Sequence, residues 1–541
     1  MGVTKLGSYG TDSSVYTAHE NSSGKLNHQK RSRVTRSKLR DAGTYRTTTK
    51  QARSMLRQKN TLLAALILCL STAMVLGNFP LLQTSLNSDA FGQVRDDEDL
   101  DDDDDDDEEE DDLGTNAAGV LINAQGVLSL KKSTDKSKSL WRARQKQANA
   151  RLKTDTASTS KLRKVSLTRL ERMIAEQLKS GQPLSEEMLY LAGLTKIQYI
   201  FAYPETGDVV IAGPAEPIML DDLGRPRGAK SGRAMLELQD LVVALRAFGP
   251  DGSKTNHIGV SIDPTKEGLA RMQKFLSNVG RNINRGQTKN IVRGLTKSLG
   301  QQVVTVRGIS PKTHYAQVLV EADYRMKLIG IGLETPPVDI TTYVEKANPG
   351  SLSRNALARW YFVPNYESVR MSEDGLAAEL VGEGVKLIGA NEMVQQDGTR
   401  VGSKGGDRAS KVFTQSFTKL YSKLALRSPV YAQLRNVIDL TIAAAAIQQN
   451  DMYGQTDWQM ELFADEAQFP VEVFEAPKTV ATAVNAIWRG NQLMTPVGGG
   501  VSIRPMEALS SENLLEDDGS VQQTRDTVSL NKLPESAWWW D

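Results

Sequence analysis

The 541-residue chain contains one cysteine, Cys69, and four histidines. A single cysteine excludes a disulfide within the chain, and because Cys69 lies inside an apolar run, the rest of the chain has no thiolate nucleophile or zinc–cysteine site. Four histidines exclude a histidine-rich metal site. The folded part must therefore gain its stability from burial of its own side chains.

Sequence signatures of the common enzyme classes are also absent. The chain has no GxSxG elbow, no phosphate-binding Walker loop, no HExxH zinc motif and no GxGxxG after a strand. The glycines of LVGEGVKLIG lie in a predicted β segment and precede no phosphate-binding helix. We therefore predict no cofactor and no metal, and we expect binding or scaffolding rather than catalysis.

The only long uncharged apolar run extends from Thr61 to Leu82. As a helix it would measure about 33 Å, enough for a hydrocarbon core about 30 Å thick, but only about 24 Å if it ended at Leu76. Together with the basic residues before it, the run predicts a single-pass anchor in the cell inner membrane, with a cytoplasmic N-terminus and an extracytoplasmic folded region. The alternative is a leader cleaved near Gly77, followed by secretion.

The segments beside this run have opposite charge. Residues 1–60 are predicted to be a disordered basic tail, whose charges we interpret as a topogenic signal rather than a nucleic-acid-binding segment. Residues 83–161 are predicted to be a disordered linker, first acidic and then basic. Because every residue from Asp96 to Asp112 except Leu100 is acidic, repulsion should extend this part into a spacer. A weak reservoir for cations is the alternative.

Globular patterns begin near Leu162, and we predict an α/β region over 162–340. IQYIFAYPETGDVVIAGPAE is typical of a β-hairpin, with Gly207 in its turn. Asp263 is predicted to cap a helix that begins at Pro264. The other predicted elements are a helix at Asp240–Phe248 and strands at Ile258–Ile262 and Gln302–Arg307.

For residues 341–450 we predict a β-meander followed by an αα-hairpin. A turn at Glu373–Gly375 separates alternating runs in the meander, and Ser428–Pro429 starts the second helix. Residues 451–541 are predicted to be a weakly structured tail ending in a cluster of three tryptophans, Trp538–Trp540. The predicted fold class is therefore α+β or α/β, with mixed layers of helices and strands.

Several long segments carry a family resemblance, among them SIDPTKEGLARMQ, THYAQVLVEADYRMKLIGIGLETPP and ARWYFVPNYESVRMSEDGLAAELVGEGVKL. Over about residues 162–450 the chain resembles a domain of unknown function that is typical of planctomycete bacteria. The resemblance implies an exported or envelope protein from a large family of paralogues. It implies no reaction, cofactor or catalytic residue.

The strongest site candidate lies in THYAQVLVEADYRMK. If this segment is helical, His314, Gln317, Glu321 and Arg325 share one face, where a base–orienter pair or half of a metal site could form. The same stripe is typical of any surface helix. His314 and Glu321 are the candidate catalytic residues, while the adjacent Asp221 and Asp222 are interpreted as solvent-exposed.

Two functions remain. The first is a membrane-anchored envelope protein whose folded region binds or scaffolds another envelope protein or polymer, with the charged tether setting its reach. The second is an extracytoplasmic, hydrolase-like enzyme that uses His314 and neighbouring carboxylates. A pocket that gathers His314, Asp263 and Arg359 would favour the enzyme.

Overall fold

A computed structural model describes residues 119–131, 139–150, 158–279, 285–347, 356–365, 368–394, 400–402, 408–485, 488–489, 492–493, 497–528, 530 and 533–541. These residues belong to one unit, Asp107–Asp541. The basic tail, the run Thr61–Leu82 and the acidic run lie outside the described residues, so the predictions for them stay predictions. Among the described helices, none has the length and apolar character needed to cross a membrane.

The larger sheet has nine strands of mixed direction. In spatial order they are Val120–Ile122, Val127–Leu130, Thr479–Val480, Gln302–Arg307, Ile258–Asp263, Val497–Ile503, Ala356–Pro364, Val385–Val394 and Arg400–Gly402. Ile258–Asp263 pairs antiparallel with both of its neighbours. Val260, Ile262, Trp360 and Phe362 are buried at alternating positions, so one face of the sheet packs into the core.

The second sheet has seven strands. Their order is Leu514–Leu515, Val369–Met371, Ala377–Leu380, Tyr199–Tyr203, Asp208–Ala215, Ser160–Ser166 and Trp539–Trp540. The hairpin predicted from the sequence is confirmed: Tyr203 pairs with Asp208, and Gly207 has a φ of +67° in the turn. Smaller ribbons are formed by Ile218–Leu220 with Pro226–Gly228, Phe248–Gly249 with Gly252–Ser253, and Trp488–Arg489 with Gln492–Leu493.

Fifteen α-helices lie in the described part of the chain, and three of them position the site. We call Leu238–Ala247 the pocket helix, His314–Gly330 the central helix and Pro429–Gln449 the long helix. The others are Ser139–Ala150, Leu167–Lys179, Glu186–Leu189, Lys266–Val279, Thr288–Leu299, Tyr343–Lys346, Arg408–Lys419, Tyr421–Arg427, Met452–Gln455, Glu461–Ala464, Pro505–Ala508 and Ser520–Asp526.

The three named helices pack on one another. The central helix lies on strands Ile258–Asp263 and Val497–Ile503, and the long helix contacts both the central and the pocket helix. The phenolic O–H of Tyr315 donates to the carbonyl of Val437 at 2.8 Å and so joins the central and long helices. The polar stripe of the central helix is also typical of surface helices. Most of this helix is buried, however, so it is not a surface helix.

Folded structure begins before Leu162. Strands Val120–Ile122 and Val127–Leu130 form a hairpin, and Ser139–Ala150 is a helix, all within the stretch predicted to be an unstructured linker. Gly126 supplies the positive φ, +81°, that the hairpin turn needs. Strand Thr479–Val480 then adds this hairpin to the nine-stranded sheet, a pairing too distant in sequence for the local pattern to predict.

The predicted meander is instead one hairpin nested inside a longer antiparallel strand pair. Ala356–Pro364 pairs with Val385–Val394 in the nine-stranded sheet, whereas Val369–Met371 pairs with Ala377–Leu380 in the seven-stranded sheet. The predicted turn is confirmed by Gly375, at a φ of +70°. Alternation predicted the strands but contains no information on which sheet each one joins.

The predicted pair of helices is found with one interruption. The first ends at Lys419, a short helix follows at Tyr421–Arg427, and the long helix begins at Pro429 as expected. The prediction for Asp263 is wrong: Asp263 ends its strand, and the hydroxyl of Thr265 accepts from the amide of Gly268 at the start of the next helix.

The C-terminal residues are more ordered than predicted. Val497–Ile503 is an inner strand of the nine-stranded sheet, although it contains three consecutive glycines. A Cβ at Gly499 would collide with the backbone of Trp360, so this close strand pairing requires glycine. At the end of the chain, Trp539–Trp540 pairs with Ser160–Ser166, and the guanidinium of Arg163 lies 4.7 Å above the Trp539 ring.

Candidate functional site

His314 is the first residue of the central helix. The side chain of Thr313 caps this helix by accepting from the amide of Ala316 at 3.2 Å, which places the imidazole where the central helix meets the pocket helix. His314 is buried. An ionisable ring in this position needs polar partners, and two carboxylates supply them.

Asp240 orients the imidazole. It lies in the first turn of the pocket helix, and its Oδ2 is 2.9 Å from His314 Nδ1. Both side chains are buried. The short contact fixes the orientation of the ring and leaves Nε2 to face the other partners.

Glu237 and Gln433 lie on the Nε2 side of the ring. Glu237 occupies the N-cap position of the pocket helix, and its Oε1 is 3.6 Å from Nε2. The amide nitrogen of Gln433, in the long helix, lies 3.4 Å from the same ring nitrogen. Glu237 Oε1 and Gln433 Oε1 are both buried and have no hydrogen-bond partner. We call His314, Asp240, Glu237 and Gln433 the imidazole cluster.

Charge in this cluster shifts the pKa values of its members. Burial disfavours the imidazolium, but the carboxylates of Asp240 and Glu237 outweigh it and raise the pKa of His314 to about 10. Burial raises the pKa of Glu237, and the neighbouring charge of Asp240 raises it further, although His314 opposes the shift. The cluster therefore places an imidazole and a carboxyl group with raised pKa values beside each other.

A pocket of about 480 Å³ reaches this cluster at Glu237. Most of its lining is apolar, and none of the described residues that line it is Lys, Arg or His. Three of its leucines are large apolar residues exposed to solvent by 37 to 40%, namely Leu178, Leu189 and Leu220. Glu472 is a second acidic lining residue, and burial raises its pKa. The pocket is thus apolar with an acidic end.

The segment Gln468–Phe474 covers the cluster. Residues 468–472 line the pocket. The amide of Phe474 donates to the carbonyl of Lys312 at 2.9 Å, and its ring centroid lies 6.4 Å from that of His314. This side chain shields the imidazole, so Glu237 is the member of the cluster that lines the pocket.

The structure places Glu321 apart from His314. Glu321 lies seven residues further along the central helix, about 10 Å along its axis. It accepts from the amide of Gly119 and from Arg325 Nε, both at 2.8 Å. These contacts join the N-terminal hairpin to the central helix, and they occupy the carboxylate.

The remaining sequence candidates lie elsewhere. Asp263 pairs with Arg359 at 2.8 Å beside a groove of about 590 Å³ on the nine-stranded sheet, which His257 also lines but His314 does not. Burial lowers the pKa of His257, and Arg504 and Arg307 lower it further. Asp221 is buried and pairs with Arg225, so its predicted exposure is wrong.

Sequence reasoning missed Glu237, Asp240 and Gln433 as site residues. A signal was present, because Glu237 and Asp240 are acids at i and i+3 in the otherwise largely apolar stretch AMLELQDLVVALRAF. Gln433 offered no such signal, since a glutamine in a helix has many ordinary positions.

Comparison with known proteins gives one family match. The model of a protein family of unknown function, DUF1598, matches residues 260–343. This stretch includes His314 but not Glu237, Asp240 or Gln433, and it covers less than one fifth of the chain. No curated protein and no solved structure matches the chain. The predicted resemblance to an uncharacterised domain is therefore confirmed for 260–343, while planctomycete origin and export stay predictions.

Proposed function

We propose that the folded region is a ligand-binding domain for a small amphipathic molecule, whose apolar body lies in the 480 Å³ pocket and whose polar group reaches Glu237. The observation that carries this proposal is the coincidence of an exposed apolar rim with a buried carboxylate oxygen, Glu237 Oε1, that has no hydrogen-bond partner. Each is unfavourable in the free protein, and one ligand would relieve both.

The rim supports an apolar ligand body. Leu178, Leu189 and Leu220 lie on separate elements yet line one cavity. Exposed leucines that are scattered singly need no explanation, but leucines gathered around a pocket of this volume are typical of ligand sites. Tyr190 and Phe469 add aromatic surface.

The acidic end supports a polar group on the ligand. Glu237 Oε1 is buried without a hydrogen-bond donor, and leaving such an acceptor unpaired costs about 1–3 kcal/mol. A ligand that supplied a donor or a cation at this oxygen would recover that free energy. The orientation of the ligand would thereby be fixed.

We further propose the cellular setting predicted from the sequence. The run Thr61–Leu82 would anchor the chain in the inner membrane, and the acidic segment would hold the binding domain away from the bilayer on its outer side. Another envelope protein or polymer would then lie within reach. The charge asymmetry on the two sides of Thr61–Leu82 supports this arrangement.

A neutral fluorescent probe, N-phenylnaphthylamine, tests the pocket. Leu189→Asp and Leu220→Asp should each weaken probe binding by about tenfold or more, equivalent to about 1.4 kcal/mol, because a carboxylate would then line the apolar rim. Leu426→Asp is the matched control, since Leu426 is 40% exposed but does not line the pocket. Equal probe affinity in all three variants and the unsubstituted protein would refute the proposal.

A catalytic variant of this function is favoured by one observation. Glu237 lines the pocket, its pKa is raised by burial, and His314 lies beside it, which is an arrangement used for general acid–base work. In such a hydrolase Glu237, rather than His314 or Glu321, would exchange the proton with substrate. Hydrolysis of a fluorogenic ester or amide panel that disappears in Glu237→Gln and persists in Glu321→Gln would support this second candidate.

A further inference from the structure

We propose that the imidazole cluster binds a divalent transition-metal ion of the Zn²⁺ class through His314 Nε2 and Glu237 Oε1, with Gln433 as a third ligand and Asp240 holding the ring. Metal binding stands on the geometry of these four side chains. The class of pocket ligand that follows from it rests on the function proposed above.

The spacing of the two principal ligands fits a metal. Zn²⁺ lies about 2.0–2.2 Å from imidazole nitrogen and carboxylate oxygen, so neighbouring ligands of a tetrahedral site are about 3.4 Å apart. His314 Nε2 and Glu237 Oε1 are 3.6 Å apart. One ring nitrogen of His314 and one carboxylate oxygen from each of Glu237 and Asp240 all lie within 4.8 Å of one another. Little movement is needed to bring an ion into contact.

Asp240 occupies the position of a supporting residue. A metal-ligating histidine usually donates its second N–H to a carboxylate, which fixes the ring and makes the free nitrogen a better ligand. Asp240 Oδ2 lies 2.9 Å from Nδ1, so the arrangement already exists here. Nε2 is left directed toward Glu237 and Gln433.

Gln433 can supply the third ligand. Its Nε2 lies 3.4 Å from His314 Nε2, and its Oε1 is buried without a partner. Rotation of the amide by 180° about its last side-chain bond exchanges these two atoms. The oxygen then replaces the nitrogen at 3.4 Å, again close to the edge of a tetrahedral site. Glu237 Oε1 and Gln433 Oε1, which both lack a hydrogen-bond partner, would then both contact the ion.

The pocket supplies the remaining coordination position. Glu237 lines it, so an ion held by this carboxylate would lie at the acidic end of the cavity, where a pocket ligand could complete its coordination as in catalytic and ligand-binding metal sites. The described lining residues carry no cationic side chain that would repel the ion. The ligand class that fits is an apolar chain ending in an anionic metal-binding group, such as a carboxylate or phosphate.

Titration of the full-length protein with Co²⁺, followed by visible absorption and equilibrium dialysis, tests metal binding. We expect one site that Glu237→Gln abolishes and that Asp240→Asn weakens by about 10- to 100-fold. Glu237→Gln preserves side-chain volume, and circular dichroism shows whether the variant is folded. His257→Gln is the control: it removes the other described histidine, and His19 and His28 remain in every variant.

Folded Glu237→Gln that binds Co²⁺ with the affinity and spectrum of the unsubstituted protein would overturn the proposal. A second measurement shows whether only the metal proposal is wrong or whether the proposed ligand binding in the pocket is wrong as well. Displacement of the naphthylamine probe by dodecanoate only when Zn²⁺ is present is the expected result. Displacement by dodecanoate to the same extent with and without Zn²⁺ would overturn the metal-dependent ligand class while leaving the amphipathic-ligand function intact.

Discussion

The two ends of the central helix carry buried charge in different ways. At its start, His314 lies between two acids and beside a pocket. Near its end, Lys327 pairs with Asp323 at 2.8 Å, and Asp323 lines neither of the two cavities described above. A cation is unfavourable at a helix N-terminus and favourable at a C-terminus. The first cluster therefore lacks the support that the second receives from its own helix.

Hydrogen bonding separates the clusters further. The ammonium of Lys327 has three protons, and it contacts three acceptors: Asp323 Oδ2, the carbonyl of Ile262 at 2.8 Å and that of Gly499 at 3.3 Å. Lys327 thus joins the helix to two strands. Glu237 Oε1 and Asp323 Oδ1 are both buried without a hydrogen-bond partner, but Glu237 lines the pocket and Asp323 does not. Burial of charge alone does not indicate a site; a buried acid that also lines a pocket does.

The largest predicted effect is at Lys327. Lys327→Met should lower the free energy of unfolding by about 3–5 kcal/mol, because it leaves Asp323 buried without its counter-ion. Urea denaturation measures the change. Lys179→Met, at an exposed helix end, is the control. A loss no larger than that of the control would show that the sheet-facing pair is not structural.

Glu321 is predicted to stabilise the fold, like Asp323 and Lys327, rather than to bind a ligand. Glu321→Gln should lower the free energy of unfolding by about 1–3 kcal/mol, since a buried partner of Arg325 and Gly119 loses its charge. Thermal unfolding and probe titration measure the two properties together. If probe affinity changed and stability did not, Glu321 would have to be placed in the ligand site.

Asp439, in the long helix, is an intermediate case. It is buried, its Oδ2 has no hydrogen-bond partner, and Arg435 Nε lies 3.9 Å away. Burial raises the pKa of Asp439 from 3.8 to about 7, although Arg435 and Lys196 oppose the shift. Neither described cavity is lined by it.

The pH dependence of stability tests this acid. Between about pH 4 and pH 7 the folded protein holds a proton on Asp439 that the unfolded chain releases, so stability should fall as pH rises, by at most about 1.4 kcal/mol per pH unit. Asp439→Asn should remove this contribution. Denaturation of both proteins at about pH 5 and pH 7 compares the slopes, and an unchanged slope in Asp439→Asn would contradict the assignment.

Local patterns predicted much of the fold. The strand Gln302–Arg307 and the hairpin around Gly207 followed from alternation and turn chemistry. Val497–Ile503 could not be found in this way, because its glycines favour a loop and its strand character depends on Ile258–Asp263 and Ala356–Pro364. Those partners are more than a hundred residues away in sequence.

Only part of the site was predicted, again because some of its residues are distant from one another in sequence. His314 was identified because Gln317, Glu321 and Arg325 follow it at helical spacing and share its helix face. The carboxylates it contacts are Asp240 and Glu237, 74 and 77 residues earlier, not Glu321. Helical spacing finds neighbours on one helix, whereas this cluster forms where three helices meet.

The most direct test of the central claim compares Glu237→Gln with Asp323→Asn by urea denaturation without any ligand. Residues kept for binding often reduce stability, whereas structural residues increase it. The account predicts that Glu237→Gln is as stable as the unsubstituted protein or more stable, and that Asp323→Asn loses at least about 1 kcal/mol. An equal loss in both variants would contradict the account, because Glu237 would then be a structural acid like Asp323.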